Sequence, residues 1–124
     1  MDWMEIISAH VMWKQRLAAF LAGGGAETLD PDVIGQDSRC ALGQWIHGEG
    51  RSMEDVPLFA EVRDLHAQFH RSAADVIILH LSGNTPEAEN LLAGSYSRLS
   101  EKLKHRLLGL SRQVNSVSDG IPRF

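Results

Sequence analysis

The chain has 124 residues, enough for one domain with an ordinary core, and it is 44% hydrophobic and 23% charged, the balance of a globular protein. A formal charge of −4, with no basic patch interleaved with aromatics, gives no reason to expect nucleic acid as a partner. The opening MDWMEIISAH carries acids where a signal peptide carries Lys or Arg, and no apolar run approaches the eighteen or so residues of a membrane span, so a cytoplasmic protein without a membrane partner is expected.

Helical periodicity dominates and strand alternation is almost absent. From Trp3 to Leu21, the residues Trp3, Ile6, Ile7, His10, Trp13, Leu17 and Leu21 fall within about 60° either side of His10 at 100° per residue, which predicts a helix with His10 in its apolar stripe. The run AGGGAETLDPD ends it, since glycines favour a helix stop and Pro31 resists continuation, and a linking loop is expected there. Asp37 or Ser38 can cap a short helix holding RCALGQWIHG, with Cys40 in its first turn and GEG at its end.

Asp55, with Pro57 close behind, opens a third helix that runs to about Leu81, where SGNTP breaks it. Its apolar stripe is Phe59, Val62, His66, Phe69, His70, Ala73, Ile77 and His80, and Glu61, Asp64, Gln68, Arg71 and Asp75 take the other side. Thr85 as N-cap, Pro86 at the first helical position and Glu87 announce the last helix, whose stripe is Leu92, Leu99, Leu103, Leu107, Leu110 and Val114. The tail NSVSDGIPRF reads as loose. The expectation is an all-α, antiparallel four-helix-type bundle: three long helices and a short Cys-bearing one, one domain over residues 1–116, and a flexible tail over 117–124.

Within that bundle, His66 and His70 are four residues apart and so share one helical face, and that face is the inward one. A buried ring nitrogen with neither a hydrogen bond nor a metal costs about 1–3 kcal/mol, so these imidazoles need partners. The single cysteine excludes an internal disulfide and leaves an inert core thiol, a reactive thiol or a metal ligand as readings of Cys40. Three inward histidines and one thiolate make a complete tetrahedral set for Zn²⁺, which accepts soft to borderline donors in whatever tetrahedron a bundle supplies. Spacing alone leaves the bland alternative open, three core histidines satisfied by ordinary hydrogen bonds.

The stretches AHVMWKQRL, CALGQWIHGEG, LHAQFHRSA and AGSYSRLSEKL, in this order over about residues 8 to 112, resemble the CZB family, the chemoreceptor zinc-binding domain of bacterial signalling proteins. That family has a His followed by a W-K-x-x-L pattern, a C-x-L-G-x-W element, and an H-x-x-x-H pair with Phe before the second His. Position by position, the resemblance places His10, Cys40, His66 and His70 on its zinc ligands. His47 stands where an aromatic such as Tyr is usual, and it puts no ligand in doubt. CZB domains are typically fused to chemoreceptors or diguanylate cyclases, and neither follows here, so the chain reads as a stand-alone domain.

The resemblance implies sensing of zinc or of oxidants such as hypochlorous acid, reported to a cytoplasmic signalling partner such as a chemoreceptor or a diguanylate cyclase. It also implies a homodimer, for which Ile78, Leu79, Leu91 and Leu108 remain as apolar residues outside the main stripes. A zinc-bound Cys40 is a thiolate, favoured further by a first-turn position, and a thiolate is the form that oxidants attack. Two rivals stand beside this: a zinc-stapled structural dimerisation module, and a small zinc hydrolase. The hydrolase is disfavoured because four ligands close the site and no inward stripe offers a carboxylate. Of the other residues, Trp13 and Trp45 are expected to wall the site, His80 to pack at the bundle end, His105 to be solvated, His47 to be solvated or a spare ligand, and Gly43 to let its short helix approach closely.

Overall fold

The computed structural model describes residues 2–23 and 28–118, and side chains as far as residue 114. Among the described residues six α-helices follow in order: α1 (Trp3–Leu21), α2 (Pro31–Ile34), α3 (Ala41–His47), α4 (Pro57–Leu81), α5 (Thr85–Leu91) and α6 (Ser97–Ser118). A 3₁₀ turn, Glu49–Met53, follows α3, and a π-helical turn, Leu92–Tyr96, joins α5 to α6 in one rod. No strand occurs among the described residues. The fold is an all-α helical bundle in which α4 packs against α6, α5, α2 and α1, and α1 also packs against α6.

Local sequence explains the starts. Asp2 accepts from the Glu5 N–H at 3.1 Å and caps α1, and Asp30 accepts from the Asp32 N–H at 2.9 Å ahead of Pro31. That Asp-Pro start builds α2, one helical turn where only a loop was expected; residues 24–27 of the glycine run lie outside the described residues. The cap of α3 is Cys40 itself, not Asp37 or Ser38. Helix α5 starts at Thr85 with Asn84 as its N-cap, because the Thr85 hydroxyl is engaged by His80 Nδ1 at 2.8 Å. Gly83, at φ 86°, makes the reversal after α4, a conformation that only glycine adopts freely.

The core follows the expected stripes with informative additions. Leu17, Val62, Ile77, Leu107 and Leu110 are completely buried, and so, among residues absent from those stripes, are Ala88 and Tyr96. Helix α4 also buries Leu65, Ser72, Ala74 and Val76, because it has neighbours on several sides and not one. Of the four apolar residues assigned to a second surface, Ile78 is exposed, while Leu79, Leu91 and Leu108 are partly buried against the core. The tail expected from residue 117 begins inside α6, which runs to Ser118, and residues 119–124 lie outside the described residues.

Candidate metal centre

Two long helices carry the histidines. His10 is on α1, and His66 and His70 occupy successive turns of one face of α4. The chain between them brings Cys40 over the same spot. His10 Nε2, Cys40 Sγ, His66 Nε2 and His70 Nε2 converge, and one ligand atom from each residue lies within 4.8 Å of every other. The histidines are buried, and Cys40 is half-buried. All four residues singled out from the sequence are therefore brought together.

The hydrogen bonds around them decide which nitrogens face the centre. His10 Nδ1 donates to the Ile6 carbonyl at 2.8 Å, and His70 Nδ1 donates to the Ile34 carbonyl at 2.8 Å. Each ring therefore carries its proton on the outer nitrogen and turns a bare Nε2 inward. His66 Nε2 stands 3.2 Å from His10 Nε2, 2.9 Å from His70 Nε2 and 3.2 Å from Cys40 Sγ. One proton on His66 Nε2 can serve only one of these neighbours, and it would leave His66 Nδ1, buried with no partner among the described residues, as a bare lone pair.

A cation resolves this crowding of acceptors. Zinc bonds of about 2.0–2.1 Å to nitrogen and about 2.3 Å to sulfur put tetrahedral ligand atoms roughly 3.3–3.6 Å apart. The three separations just given, with 3.6 Å from Cys40 Sγ to His70 Nε2 and 4.0 Å from Cys40 Sγ to His10 Nε2, straddle that range. The residues present fit the ion.

Electrostatics suit the imidazoles as ligands and pull the thiol both ways. Burial lowers the pKa of all three histidines, and His66, surrounded by the other rings, is pushed down to about 2, so each stays neutral and able to donate a lone pair. Burial pushes the Cys40 thiol up, against the N–H groups of Gly43 and Leu42, which pull it down. A helix start alone therefore does not make this sulfur a thiolate; desolvation outweighs the N–H groups, and a cation is required.

The Cys40 segment is tied to itself. The Gly43 N–H donates to Cys40 Sγ at 3.4 Å, and Gln44 Nε2 donates to the Arg39 carbonyl at 3.0 Å. A Cβ on Gly43 would overlap the Asp37 carbonyl oxygen, so its close approach is to the turn before Cys40 and not to the bundle. Leu42 and Ile46 reach into the core, and the Trp45 ring packs on Trp3 at 5.1 Å and on Phe59 at 5.7 Å. Half-exposed His47 points to Asp37, 3.5 Å from its carboxylate, and stays out of the four-residue cluster.

The ring packed on the imidazoles is Phe69, 5.5 Å from His10 and 5.8 Å from His70. Trp13 is partly buried with the Arg16 guanidinium 3.8 Å above it, His80 packs on Phe20 at 5.0 Å, and His105 is exposed. The supporting carbonyls of Ile6 and Ile34 had no sequence signal, because every residue carries one.

A family model described as the chemoreceptor zinc-binding domain matches residues 10–77. Its span begins at His10, contains Cys40, His66 and His70, and stops before the fourth of the resembling stretches. No curated protein and no solved structure matches the chain. With more than half of its residues under that family model and a buried three-histidine, one-cysteine cluster inside the matched span, the chain belongs to the chemoreceptor zinc-binding domain family.

Proposed function

We propose that His10, Cys40, His66 and His70 hold one zinc ion per chain, and that the chain is a bacterial signalling sensor responding to zinc or to oxidants through Cys40. The observation that carries this is the convergence of four ligand atoms, with the His10 and His70 nitrogens turned inward bare because their ring protons go to the Ile6 and Ile34 carbonyls. When bound, zinc supplies the positive charge that keeps the Cys40 sulfur a thiolate at neutral pH. The chain's own residues do the rest. The Ile6 and Ile34 carbonyls fix two imidazole orientations, Phe69 covers those rings, and Gly43 permits the tight turn that aims the sulfur.

Sensing follows from the exposure of the sulfur relative to the imidazoles. A two-electron oxidant such as hypochlorous acid converts the thiolate to a sulfenic acid: sulfur gains oxygen and loses two electrons, and chloride leaves. The modified sulfur is a poorer ligand, and the Cys40 segment is released from the three histidines. Signalling output goes to a second copy of the chain or to a signalling protein such as a chemoreceptor or diguanylate cyclase, with residues 1–116 acting as one cytoplasmic domain. Exposed Ile78 and Leu81 support an apolar contact at the end of α4.

Metal analysis of protein purified without added zinc tests the first step, with one zinc per chain expected. A Cys40→Ala variant should bind more weakly through the three remaining ligands while staying helical; zinc bound as tightly as by the wild type would remove Cys40 from the site. A sensor is separated from a structural staple by treating the zinc-loaded protein with one equivalent of hypochlorous acid. Zinc release with a change in hydrodynamic size or partner binding supports the sensor, and unchanged size and binding after thiol oxidation support the staple.

A further inference from the structure

The rod from Thr85 to Ser118 is interrupted where nothing in its amino acids demands it. In a regular α-helix Ala88 and Tyr96, eight residues apart, point about 80° from one another. A π-turn adds one residue to a turn, which removes about 100° and leaves the two within roughly 20° of a common direction. Both are completely buried. The wide turn thus lets α5 and α6 each keep an apolar side inward while delivering Tyr96 into the core, and the Ser97 hydroxyl donates to the Leu92 carbonyl across it at 2.7 Å.

What Tyr96 meets there is Phe69, with ring centroids 5.1 Å apart and planes tilted by 35°. The Phe69 ring also packs on the rings of His10 and His70. The Tyr96 hydroxyl has no partner among the described residues, so packing of the ring, not hydrogen bonding, holds this side chain. An unbroken aromatic column therefore runs from the π-turn to two of the four cluster residues. Phe69 is 1% exposed, so its position is set by the side chains packed around it, Tyr96 among them.

We infer that Tyr96, delivered by the π-turn, is a positioning residue of the metal centre: acting through Phe69, it holds the His10 and His70 imidazoles, whose orientation the Ile6 and Ile34 carbonyls fix, at their distance from the centre. This rests on the zinc reading above. Tyr96 is the chain's only tyrosine, so biosynthetic 3-fluorotyrosine gives a single ¹⁹F signal from it. Titration with zinc should replace that signal by a second one that saturates at one zinc per chain, and a signal indifferent to bound zinc would overturn the inference.

The second arm uses Co²⁺, whose visible bands report the geometry of its ligands. Tyr96→Leu should weaken Co²⁺ binding about tenfold or more and shift the ligand-field bands, the size of effect typical of a lost supporting contact, whereas Tyr96→Phe, which keeps the ring, should match the wild type. A merely structural tyrosine would lower thermal stability in Tyr96→Leu while leaving the bands and the Co²⁺ affinity unmoved, and that result also overturns the inference. Met takes the place of Leu if the Leu variant does not fold, with the same readout. The two readings fail separately: a wild-type protein without a thiolate-to-Co²⁺ charge-transfer band defeats the zinc assignment, whereas a normal wild-type band beside indifferent Tyr96 variants defeats only the role of Tyr96.

Discussion

The histidine side of the centre and the cysteine side are built on different scales. His10 sits on a 19-residue helix and His66 and His70 on a 25-residue helix, and these pack against each other and against the C-terminal rod. Cys40 caps a seven-residue helix, shorter than the ~12–15 residues at which an isolated helix becomes even marginal in water. Its order comes from Leu42, Ile46 and Trp45 docking on the bundle and from ties within the segment. The three nitrogens are thus positioned by the fold itself, and the sulfur by a small lobe fastened to it. The residue proposed to meet the oxidant is thus the one held by the smaller element.

The comparison breaks most decisively at its rigid side. His66→Ala removes the nitrogen that neighbours all three other ligand atoms from a completely buried position, and should abolish tight zinc binding. In zinc-saturated buffer it should cost about 3 kcal/mol against the wild type in urea unfolding, from the core vacancy and the lost ligand together. Near-wild-type zinc content in this variant would mean that the histidine side is not the foundation of the site.

On the cysteine side, Gly43→Ala places a methyl group against backbone, which cannot swing away as a flexible side chain can. A loss of about 1–3 kcal/mol is expected from overpacking, with zinc affinity falling toward that of Cys40→Ala while circular dichroism stays close to wild type. An affinity equal to wild type would show that the segment tolerates displacement without moving the sulfur.

Chelation sharpens the contrast without any mutation. After zinc removal, amides over residues 40–53 should exchange with deuterium much faster, and those of the α4 interior around Phe69 should change least, as expected when one region opens locally and the other only with the whole fold. Equal loss of protection in both regions would make the cysteine lobe and the bundle one cooperative unit. The smallest effect belongs to His47→Ala: its contact with Asp37 is partly solvated and is worth no more than about 1 kcal/mol, and zinc stoichiometry should be unchanged. A drop in bound zinc would instead make His47 a ligand.

Much of this was legible in the sequence for a simple reason. Helical faces repeat every 3.6 residues, so His10, His66 and His70 could be placed on inward stripes before any coordinates, and the glycine run, Pro57 and Thr85-Pro86 marked helix boundaries to within a residue or two. Cys40 was found from its being the only cysteine and from the C-x-L-G-x-W resemblance, but its place as the cap itself was not, since Asp37 and Ser38 are equally good caps by residue type. The Thr85 hydroxyl illustrates the same limit: it is a good cap in isolation, and His80 claims it in the folded chain.

The sequence by itself determined the helical class, the inward faces of three long helices and the residues chemically fit to hold zinc, because these depend on local periodicity and on donor types. Tertiary structure alone decided the orientation of the imidazoles, through the Ile6 and Ile34 carbonyls, and the burial that keeps the Cys40 thiol protonated without a cation. It alone decided the π-turn too. A regular period carried through residues 92–96 leaves Tyr96 off the stripe, and only the joint need of α5 and α6 to bury their apolar sides against α4 and α1 makes the extra residue worth its distortion.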